Sequence, residues 1–472
     1  MVFSSVVFLV YFLPFFFLLY HFADRKYKNY ILLAGSILFY AWGGPQFIYL
    51  ILLSCALNFW LVYKMDALPK GRLRLTFFWL SITLNVGLLL YFKYANFFID
   101  NINLLLSTWG GNSISWTKIV LPIGISFFTF QSLTYTVDVY QKKHAPLKKL
   151  SNYILYIICF PQLIAGPIVR FNEIADQITE RTENNVLRIN GFIRFCIGLS
   201  KKVIIANTMG EFADPIMNSN VDLLNSSQAW LGILAYTFQI YFDFSGYSDM
   251  AIGLGLMMGF QFPENFNNPY ISTSITEFWR RWHITLGRWM RDYLYIPLGG
   301  NRASTSRMYF NLIFVFTVSG FWHGASWSFI LWGLYHGFFL ILDRLFLIKL
   351  LNKSGKLIST LFTFLVVIIG WVFFRIEDIG QAFQFIQCMF SFNFGFTGEL
   401  NLYTKLIFGL ALFFSFFTSI KPFLNFEQLV FKRDAQKTTQ LTVGVILSLV
   451  FFIFCLSLIT TSSFNPFIYF RF

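Results

Sequence analysis

The chain has 472 residues, of which 56% are hydrophobic, 21% aromatic and only 12% charged. Soluble domains carry about 25% charged residues, so this composition excludes a water-soluble globular protein and implies a polytopic membrane protein. The net charge of +14 fits Lys and Arg gathered in cytoplasmic loops, where they set orientation, and calls for no nucleic-acid partner.

At roughly 20 apolar residues per crossing, the chain has room for about 10 to 13 transmembrane helices. No loop is long enough for a soluble domain, so residues 1–472 read as one all-α domain. The first stretch, MVFSSVVFLVYFLPFFFLLYHF, lacks a basic n-region and a small-residue cleavage site, and reads as a retained span kinked at Pro14. Gly43-Gly44-Pro45 divides the apolar run from Tyr30 to Tyr63 into two helices. Basic loops flank that pair at Asp24 to Lys28 and Lys64 to Arg74, on one side, expected to be the cytoplasm. Leu75 to Tyr94 is a span, and Ala95 to Leu106 a shorter helix. Val120 to Tyr140 spans again and ends at a basic loop, Lys142 to Lys149. Between 151 and 172, Pro161, Gly166 and Pro167 break the helix. Irregular backbone at membrane depth survives only where protein buries it or a cavity adjoins it, which makes this stretch re-entrant or cavity-lining. Asp176 to Arg188 reads as a polar loop.

Gly191 to Met209 crosses with Lys201 and Lys202 near its centre; two short helices are expected there, with lysine stems snorkelling at an interface. In Trp230 to Phe260, Asp243 and Asp249 stand among apolar residues. A separation of six residues turns a helix by roughly 240°, so the two carboxylates share no face and each is expected to bond a neighbouring helix. Gly255 and Gly259 make a small-xxx-small pair suited to close helix packing. Further apolar runs lie at Phe338 to Leu350, Leu357 to Phe374, Leu402 to Ile420 and Leu441 to Ile459, with a weaker helix at Gly380 to Phe390. Basic loops are expected at Asn352 to Lys356 and Lys432 to Lys437. The five cysteines lie in apolar runs with no C-x-x-C spacing, which indicates neither a metal site nor a disulfide framework.

The chemistry concentrates between Trp279 and Gly337, which hold His283, His323 and His336. His323 sits in an apolar, aromatic run, and an ionisable group there is a functional-site hypothesis by default. Its small neighbours Gly320, Gly324, Ala325 and Ser326 would let a second molecule approach. Desolvation favours the neutral ring, the form a general base needs. On one continuous helix His336 would lie roughly 20 Å along and 220° around from His323, so it reads as a packing or interfacial residue unless the helix breaks. His283 precedes the span and could fold back toward His323. His21 and His144 adjoin basic loops and are expected in solvent. Arg280 and Arg281, interleaved with Trp279, Trp282 and Trp289, mark a membrane-interface helix; Arg forks also suit the phosphates of a coenzyme A thioester. Pro297 and the two glycines after it read as a tight turn. There is no G-x-S-x-G, Walker A or H-E-x-x-H motif, so covalent serine catalysis and metal hydrolysis lack support, and no metal or permanently bound cofactor is expected. A transporter or channel is a rival reading, since intramembrane charges and broken helices fit it, although no inverted repeat is visible. A membrane scaffold is a third.

EFWRRWHITLGRWMRDYLYIPLGGNR (Glu277 to Arg302) and SGFWHGASWSFILWGLYHG (Ser319 to Gly337) resemble the membrane-bound O-acyltransferase superfamily, and within it the bacterial alginate O-acetylation branch. MVFSS, LPIGISFFTFQSLTY, YFDFSGYSDMAIG and the ending PFIYFRF are similar to that branch as well, so the resemblance covers nearly the whole chain. The teichoic acid D-alanyl transfer protein is a cousin; PLGGNR (Pro297 to Arg302) favours the acetylation branch. The resemblance implies a helical ring around a tunnel, with short re-entrant and interfacial helices, in the bacterial cytoplasmic (inner) membrane. It implies that His323, in WHGA, and His283, in RWH, are catalytic. It implies acetyl-coenzyme A as cytoplasmic donor and a cell-surface polysaccharide as final acceptor, reached through a periplasmic acetyltransferase or esterase-like partner. His323 would take a proton from an acceptor hydroxyl; His283 would position the acceptor or stabilise developing charge; Arg280 and Arg281 would hold donor phosphates or anchor their helix. D-alanyl transfer from a carrier protein to a cell-wall polymer is the alternative within the same class.

Overall fold

A computed structural model describes residues 2–395, 400–431, 438–462 and 464–468, with Leu429 as backbone only. The expected basic loop at 432–437 lies outside these residues, as do Met1 of the first motif and 469–472 of the last. The described residues form helices and turns, without a strand. Five helical runs among them are long and apolar enough to cross a membrane: Pro45–Ala67, Arg72–Thr108, Lys356–Arg375, Leu402–Ser419 and Thr438–Thr461. The remaining helices are shorter or, like Ser226–Met257, carry charged residues and lie buried in protein, so length and apolarity pick out fewer spans than the chain has room for.

The chain divides into two compact units, residues 1–182 with 259–262, and residues 183–258 with 263–472. In the first, α1 (Leu13–Phe22), α2 (Lys28–Gly43), α3 (Ile48–Ala67), α4 (Arg72–Leu89) and α5 (Ala95–Thr108) precede α6 (Ile125–Tyr140), α7 (Leu150–Ile158), α8 (Phe160–Leu163) and α9 (Phe171–Thr179). The break at Gly43 to Pro45 is as expected: α2 ends at Gly43 and Pro45 opens a short 3-10 turn. The expected separate helices at 75–94 and 95–106 are one run, joined by a π-helical turn at Leu90–Tyr94. That turn carries Lys93, which is buried and donates from Nζ to Ser126 Oγ at 3.1 Å. The wider turn shifts the lysine's direction, so the amine bonds α6. Almost every residue of α6 is buried, making it the core of this unit. Its neighbours meet through polar side chains: Ser81 Oγ and Asn85 Nδ2 both donate to Asn58 Oδ1 (2.6 and 2.8 Å), and Asn58 Nδ2 donates to Tyr153 Oη (2.6 Å). Interhelical hydrogen bonds and small residues, not the hydrophobic effect, hold helices together in lipid. The stretch at 151–172 is broken and buried as expected, with helix interrupted at Cys159 and again from Ile164 to Arg170. The expected polar loop after Asp176 is shorter, because α9 continues to Thr179 and helix resumes at Asn185.

The second unit contains α10 (Asn185–Ser200), α11 (Asn207–Met217), α12 (Ser226–Met257), α13 (Ile275–Arg281), α14 (Ile284–Met290), α15 (Thr305–His323), α16 (Trp327–Leu342), α17 (Ile348–Ser354), α18 (Lys356–Arg375), α19 (Ile379–Met389), α20 (Leu402–Phe416), α21 (Lys421–Phe431) and α22 (Thr438–Thr461). Its centre is α12, buried over nearly all of its 32 residues. The close helix contact is made by other glycines than Gly255 and Gly259. A Cβ on Gly198 would lie 2.5 Å from the Gly246 carbonyl oxygen, and one on Gly191 would lie 2.6 Å from that of Gly253. Gly191 and Gly198 of α10 thus meet Gly253 and Gly246 of α12 backbone to backbone. Gly259 lies beyond the end of α12, at φ +83°, and cannot share a helix face with Gly255.

That contact explains the lysines. α10 passes into α11 through a π-helical turn, Lys201–Ala206, in place of two separate short helices. Lys202 is 1% exposed and pairs with Asp243 at 2.9 Å. Lys201 Nζ donates to Asp249 Oδ2 at 2.7 Å, and Arg194 donates to Asp249 Oδ1 from Nε and Nη2 at 2.8 and 2.6 Å. The lysines therefore do not snorkel to an interface. They neutralise the two aspartates of α12, each of which bonds a neighbouring helix as expected; both meet the same helical run, through the adjacent Lys201 and Lys202.

Candidate active site

His323 is the last residue of α15. Gly324 is extended (φ −158°, ψ 147°), and α16 then runs back along α15. A Cβ on Gly320 would lie 2.1 Å from the Phe329 carbonyl oxygen, and one on Gly333 would lie 2.3 Å from that of Phe316. The small residues beside His323 therefore make room for α16, not for a second molecule. A Cβ on Gly324 would likewise lie 2.1 Å from the Phe329 ring. The reversal leaves the His323 ring 3% exposed, edge-on to Trp332 and Phe374 at 5.3 and 5.2 Å between centroids.

His336 also packs edge-on against Trp332, at 5.0 Å, and against Trp279, at 5.0 Å. It is fully buried, and neither ring nitrogen has a hydrogen-bond partner among the described residues. A Cβ on Gly370 would lie 2.6 Å from its Nε2. His336 is a packing residue and not an interfacial one. Of the remaining histidines, His21 is exposed, whereas His144 is partly covered and meets Phe171 edge-on at 5.8 Å.

His283 lies between α13 and α14 in left-handed backbone (φ 44°, ψ 52°). Such conformations cost a non-glycine residue on the order of 1–3 kcal/mol and cluster at functional sites. The segment 265–267 holds it there. Asn267 N donates to Arg281 O and Ile284 N to Asn265 O, both at 2.9 Å. The Asn265 side chain completes the clamp: its Oδ1 accepts from Thr285 Oγ1 (2.8 Å) and Thr285 N (3.3 Å), and its Nδ2 donates to Ser248 Oγ (3.1 Å). His283 Nδ1 lies 3.0 Å from that same Oδ1. A backbone N–H can only donate, so Oδ1 is the acceptor and Nδ1 carries the proton. The neutral ring is thereby fixed in the tautomer whose Nε2 bears the lone pair.

The His283 ring is 1% exposed, stands edge-on to Phe244 at 4.7 Å, and lies 6.4 Å from the His323 ring between centroids. Phe244 sits between Asp243 and Asp249 on α12, so the charge pairs that fix the rotation of α12 also fix the platform beneath His283. The structure thus brings together the two histidines of the WHGA and RWH motifs, and leaves His336 aside.

The arginines separate. Arg281 is engaged in the clamp, with Nε bonded to Glu277 Oε1 at 2.9 Å and Nη1 to Asn267 O at 3.1 Å. Arg280, next to it, is exposed. Trp282 and Trp289, read in the sequence as interface residues, are buried. Trp282 packs against Phe266, Phe278 and Trp371 at 5.1, 5.7 and 4.9 Å, so this segment turns its aromatic face into protein. Gly299 and Gly300 both have positive φ, as a tight turn there requires. Sequence reasoning did not find Asn265, which lies in the run PENFNNP and carries only turn signals; nothing in its spacing ties it to His283.

Residues 73–355 match the family model described as MBOAT, membrane-bound O-acyltransferase family. The chain is 45% identical over 403 residues to a protein of Azotobacter vinelandii named as a probable alginate O-acetylase (AlgI), covering 85% of this chain and 80% of the relative. It is 37% identical over 428 residues to a peptidoglycan O-acetyltransferase of Helicobacter pylori, covering 83% and 80%. A teichoic acid D-alanyltransferase of Bacillus subtilis is 33% identical over 232 residues, 45% of this chain and 56% of the relative. The chain belongs to the membrane-bound O-acyltransferase family and is a multi-pass membrane acyltransferase.

Proposed function

We propose that this chain is an O-acetyltransferase that uses acetyl-coenzyme A on the cytoplasmic side of a bacterial inner membrane, for acetylation of an exported polysaccharide. The observation that carries the reading is the buried pair His283 and His323, 6.4 Å apart, in a chain whose relatives are named for O-acetylation of alginate and peptidoglycan. His323 takes the proton of the acceptor hydroxyl. The oxygen attacks the thioester carbonyl, a C–O bond forms, the C–S bond breaks, and the proton passes from His323 to the departing thiolate. His283 presents an acceptor nitrogen at Nε2, which suits holding a neighbouring hydroxyl of the acceptor better than donating to a developing oxyanion. Of its two expected roles, positioning is the one its tautomer favours. Arg280, exposed beside the clamp, is the better placed of the two arginines to meet donor phosphates; Arg281 serves the clamp.

Charge supports the direction. α18 runs from Lys356, next to Lys353 and Lys349, to Arg375, which bonds Asp214 and lies over the Tyr236 ring near the start of α12. Lysines cluster at one end of α18, and Asp214, Glu377 and Asp378 at the other. Lys and Arg excess marks the cytoplasmic side. The donor would then arrive from the lysine end, and the acceptor, the polysaccharide itself or a periplasmic partner that passes acetyl on, from the acidic end.

The test is purified protein in proteoliposomes with labelled acetyl-coenzyme A. Thioester turnover should fall about 10²- to 10⁴-fold in His323→Ala, the range for loss of a general base. A folded, inserted His323→Ala protein that turns over thioester as fast as the parent would rule the mechanism out, and use of a carrier-bound D-alanyl group in place of acetyl-coenzyme A would give the donor to the alternative.

A further inference from the structure

The segment that clamps His283 is itself tied to α21. Asn268, which follows the clamp residues Asn265 and Asn267, has left-handed backbone (φ 48°, ψ 61°) and is 6% exposed. Such backbone is uncommon outside glycine and persists only where the surroundings hold it. On the C-terminal side of Asn268 the chain is fixed to other helices: Tyr270 Oη donates to Thr237 O at 2.7 Å, and Thr360 Oγ1 to Ile271 O at 3.4 Å. The Asn268 side chain is held by Glu427 of α21, whose Oε1 and Oε2 accept from Asn268 Nδ2 at 3.0 and 2.9 Å. Hydrogen bonds to an ionised group are roughly twice as strong as those between neutral ones.

α21 presents three faces. Leu424, Glu427 and Phe431, at i, i+3 and i+7, share one face and are partly covered by protein. The Phe431 ring on that face lies 4.3 Å from the Arg194 guanidinium. Phe423 and Phe426 form a second face and are exposed, although Phe423 also meets the Phe413 ring at 5.6 Å. Lys421, Asn425 and Gln428 form a third, exposed and polar. A helix with one apolar and one polar exposed face lies in the membrane interface. α21 is thus a strap along the surface of the second unit, and Glu427 is the polar bond by which it reaches the clamp.

From Asn268 the connection to His283 is short. Asn267 N donates to Arg281 O and Ile284 N to Asn265 O, so two backbone hydrogen bonds flank His283 and join it to the segment 265–267. Asn265 Oδ1, on the same segment, faces His283 Nδ1 at 3.0 Å. A displacement of Asn268 moves this segment, and with it the oxygen that orients the ring. We infer that Glu427 is a positioning residue: through Asn268 it fixes the segment 265–267 and the orientation of His283, and so ties the interfacial helix α21 to the histidine pair. The tie follows from the contacts; its effect on transfer rests on the role of His283 proposed above.

The experiment reads amide hydrogen exchange and acetyl transfer on the full-length protein in proteoliposomes. In Glu427→Ala the amides of Asn267 and Ile284 should exchange about tenfold faster, the effect of losing one hydrogen bond. The kcat should fall about tenfold with the KM for acetyl-coenzyme A unchanged, because a misplaced group costs rate and not donor binding. Glu427→Gln keeps an acceptor oxygen for Asn268 and should recover most of both. Asn268→Asp, which left-handed backbone tolerates, sets two carboxylates face to face and should reproduce Glu427→Ala. Combined with Glu427→Gln it restores a donor and an acceptor in the reverse direction, and should bring kcat and exchange back toward the parent. Unchanged exchange at both amides in Glu427→Ala and Asn268→Asp would overturn the inference. So would a raised KM for the donor at constant kcat, or an equal loss in all four variants with a lowered thermal midpoint, which would make the contact a support of the fold alone. Transfer retained in His323→Ala beside faster exchange in Glu427→Ala leaves the tie to His283 standing and removes the catalytic pair; transfer lost in His323→Ala beside unchanged exchange in Glu427→Ala does the reverse.

Discussion

Asn265 holds the Nδ1 side of His283 at 3.0 Å, and it does so with an oxygen already fixed by the backbone N–H and hydroxyl of Thr285. The ring is therefore set in orientation and tautomer by a residue that has no part in the chemistry. Partners of this kind are worth about 10- to 100-fold when removed from ligand histidines. Asn265→Ala should lower the transfer rate at saturating substrates by that order, while Asn265→Asp, which still accepts from Nδ1, should recover most of it. Equal loss in both variants would mean that Asn265 serves the fold alone.

The hairpin of α15 and α16 makes a second prediction. Gly320 and Gly333 each face a carbonyl oxygen closer than any Cβ can tolerate. Overpacking of this kind costs about 1–3 kcal/mol, and here it must also push α15, with His323 at its end, away from Trp332. Gly320→Ala and Gly333→Ala should both lower the thermal midpoint in detergent and cut transfer activity. Gly287→Ala, whose Cβ would sit at an ordinary 3.6 Å from the nearest atom, should do neither.

These glycines also show where the sequence is legible and where it is not. The spans at Leu357 to Phe374 and Leu441 to Ile459, the break at Gly43 to Pro45 and the buried, proline-broken stretch at 151–172 follow from local chemistry: apolar length, and backbone that cannot remain helical. The pairing of the two histidine motifs does not: it comes from the family resemblance. The small residues around His323 signal close approach, but sequence cannot say of what, and the approaching group is the backbone of α16. Lys201, Lys202, Asp243 and Asp249 are each visible as costly intramembrane charges. Their mutual pairing depends on the α10–α12 crossing, which a single chain's periodicity does not encode. Asn265 is invisible because its signal, asparagine near proline, is that of any turn.

His336 separates chemistry from packing. Both its ring nitrogens are buried without a hydrogen bond among the described residues, so the imidazole contributes volume and shape between Trp279 and Trp332, and its polar atoms are a cost. His336→Leu should fold at least as stably as the parent and keep transfer activity within about threefold, a change of under 1 kcal/mol. His323→Leu, equally buried, should lose activity by the general-base margin. A comparable loss in both would place His336 in the reaction after all.

Lys202 and Asp243 form a buried pair that does more than neutralise charge. Lys202 Nζ also bonds the Pro466 carbonyl oxygen, and Ile468 N donates to Asp243 Oδ2 at 2.9 Å. Phe467, between them, stacks on Tyr247 at 4.4 Å. The pair thus docks the segment 466–468 against α12. Removing one member of a buried pair leaves the other uncompensated and costs about 3–5 kcal/mol, whereas replacing both with apolar side chains can be nearly neutral. Lys202→Met and Asp243→Leu should each destabilise strongly, and the double variant should regain much of the thermal midpoint. The double variant still lacks both tail bonds. Limited proteolysis should therefore cleave its C-terminal segment faster than that of the parent, even at temperatures where the helices remain folded. If the restored variant keeps its tail as protected as the parent does, the stacking of Phe467 on Tyr247 is sufficient to dock it, and the ion pair serves only the contact between α10 and α12.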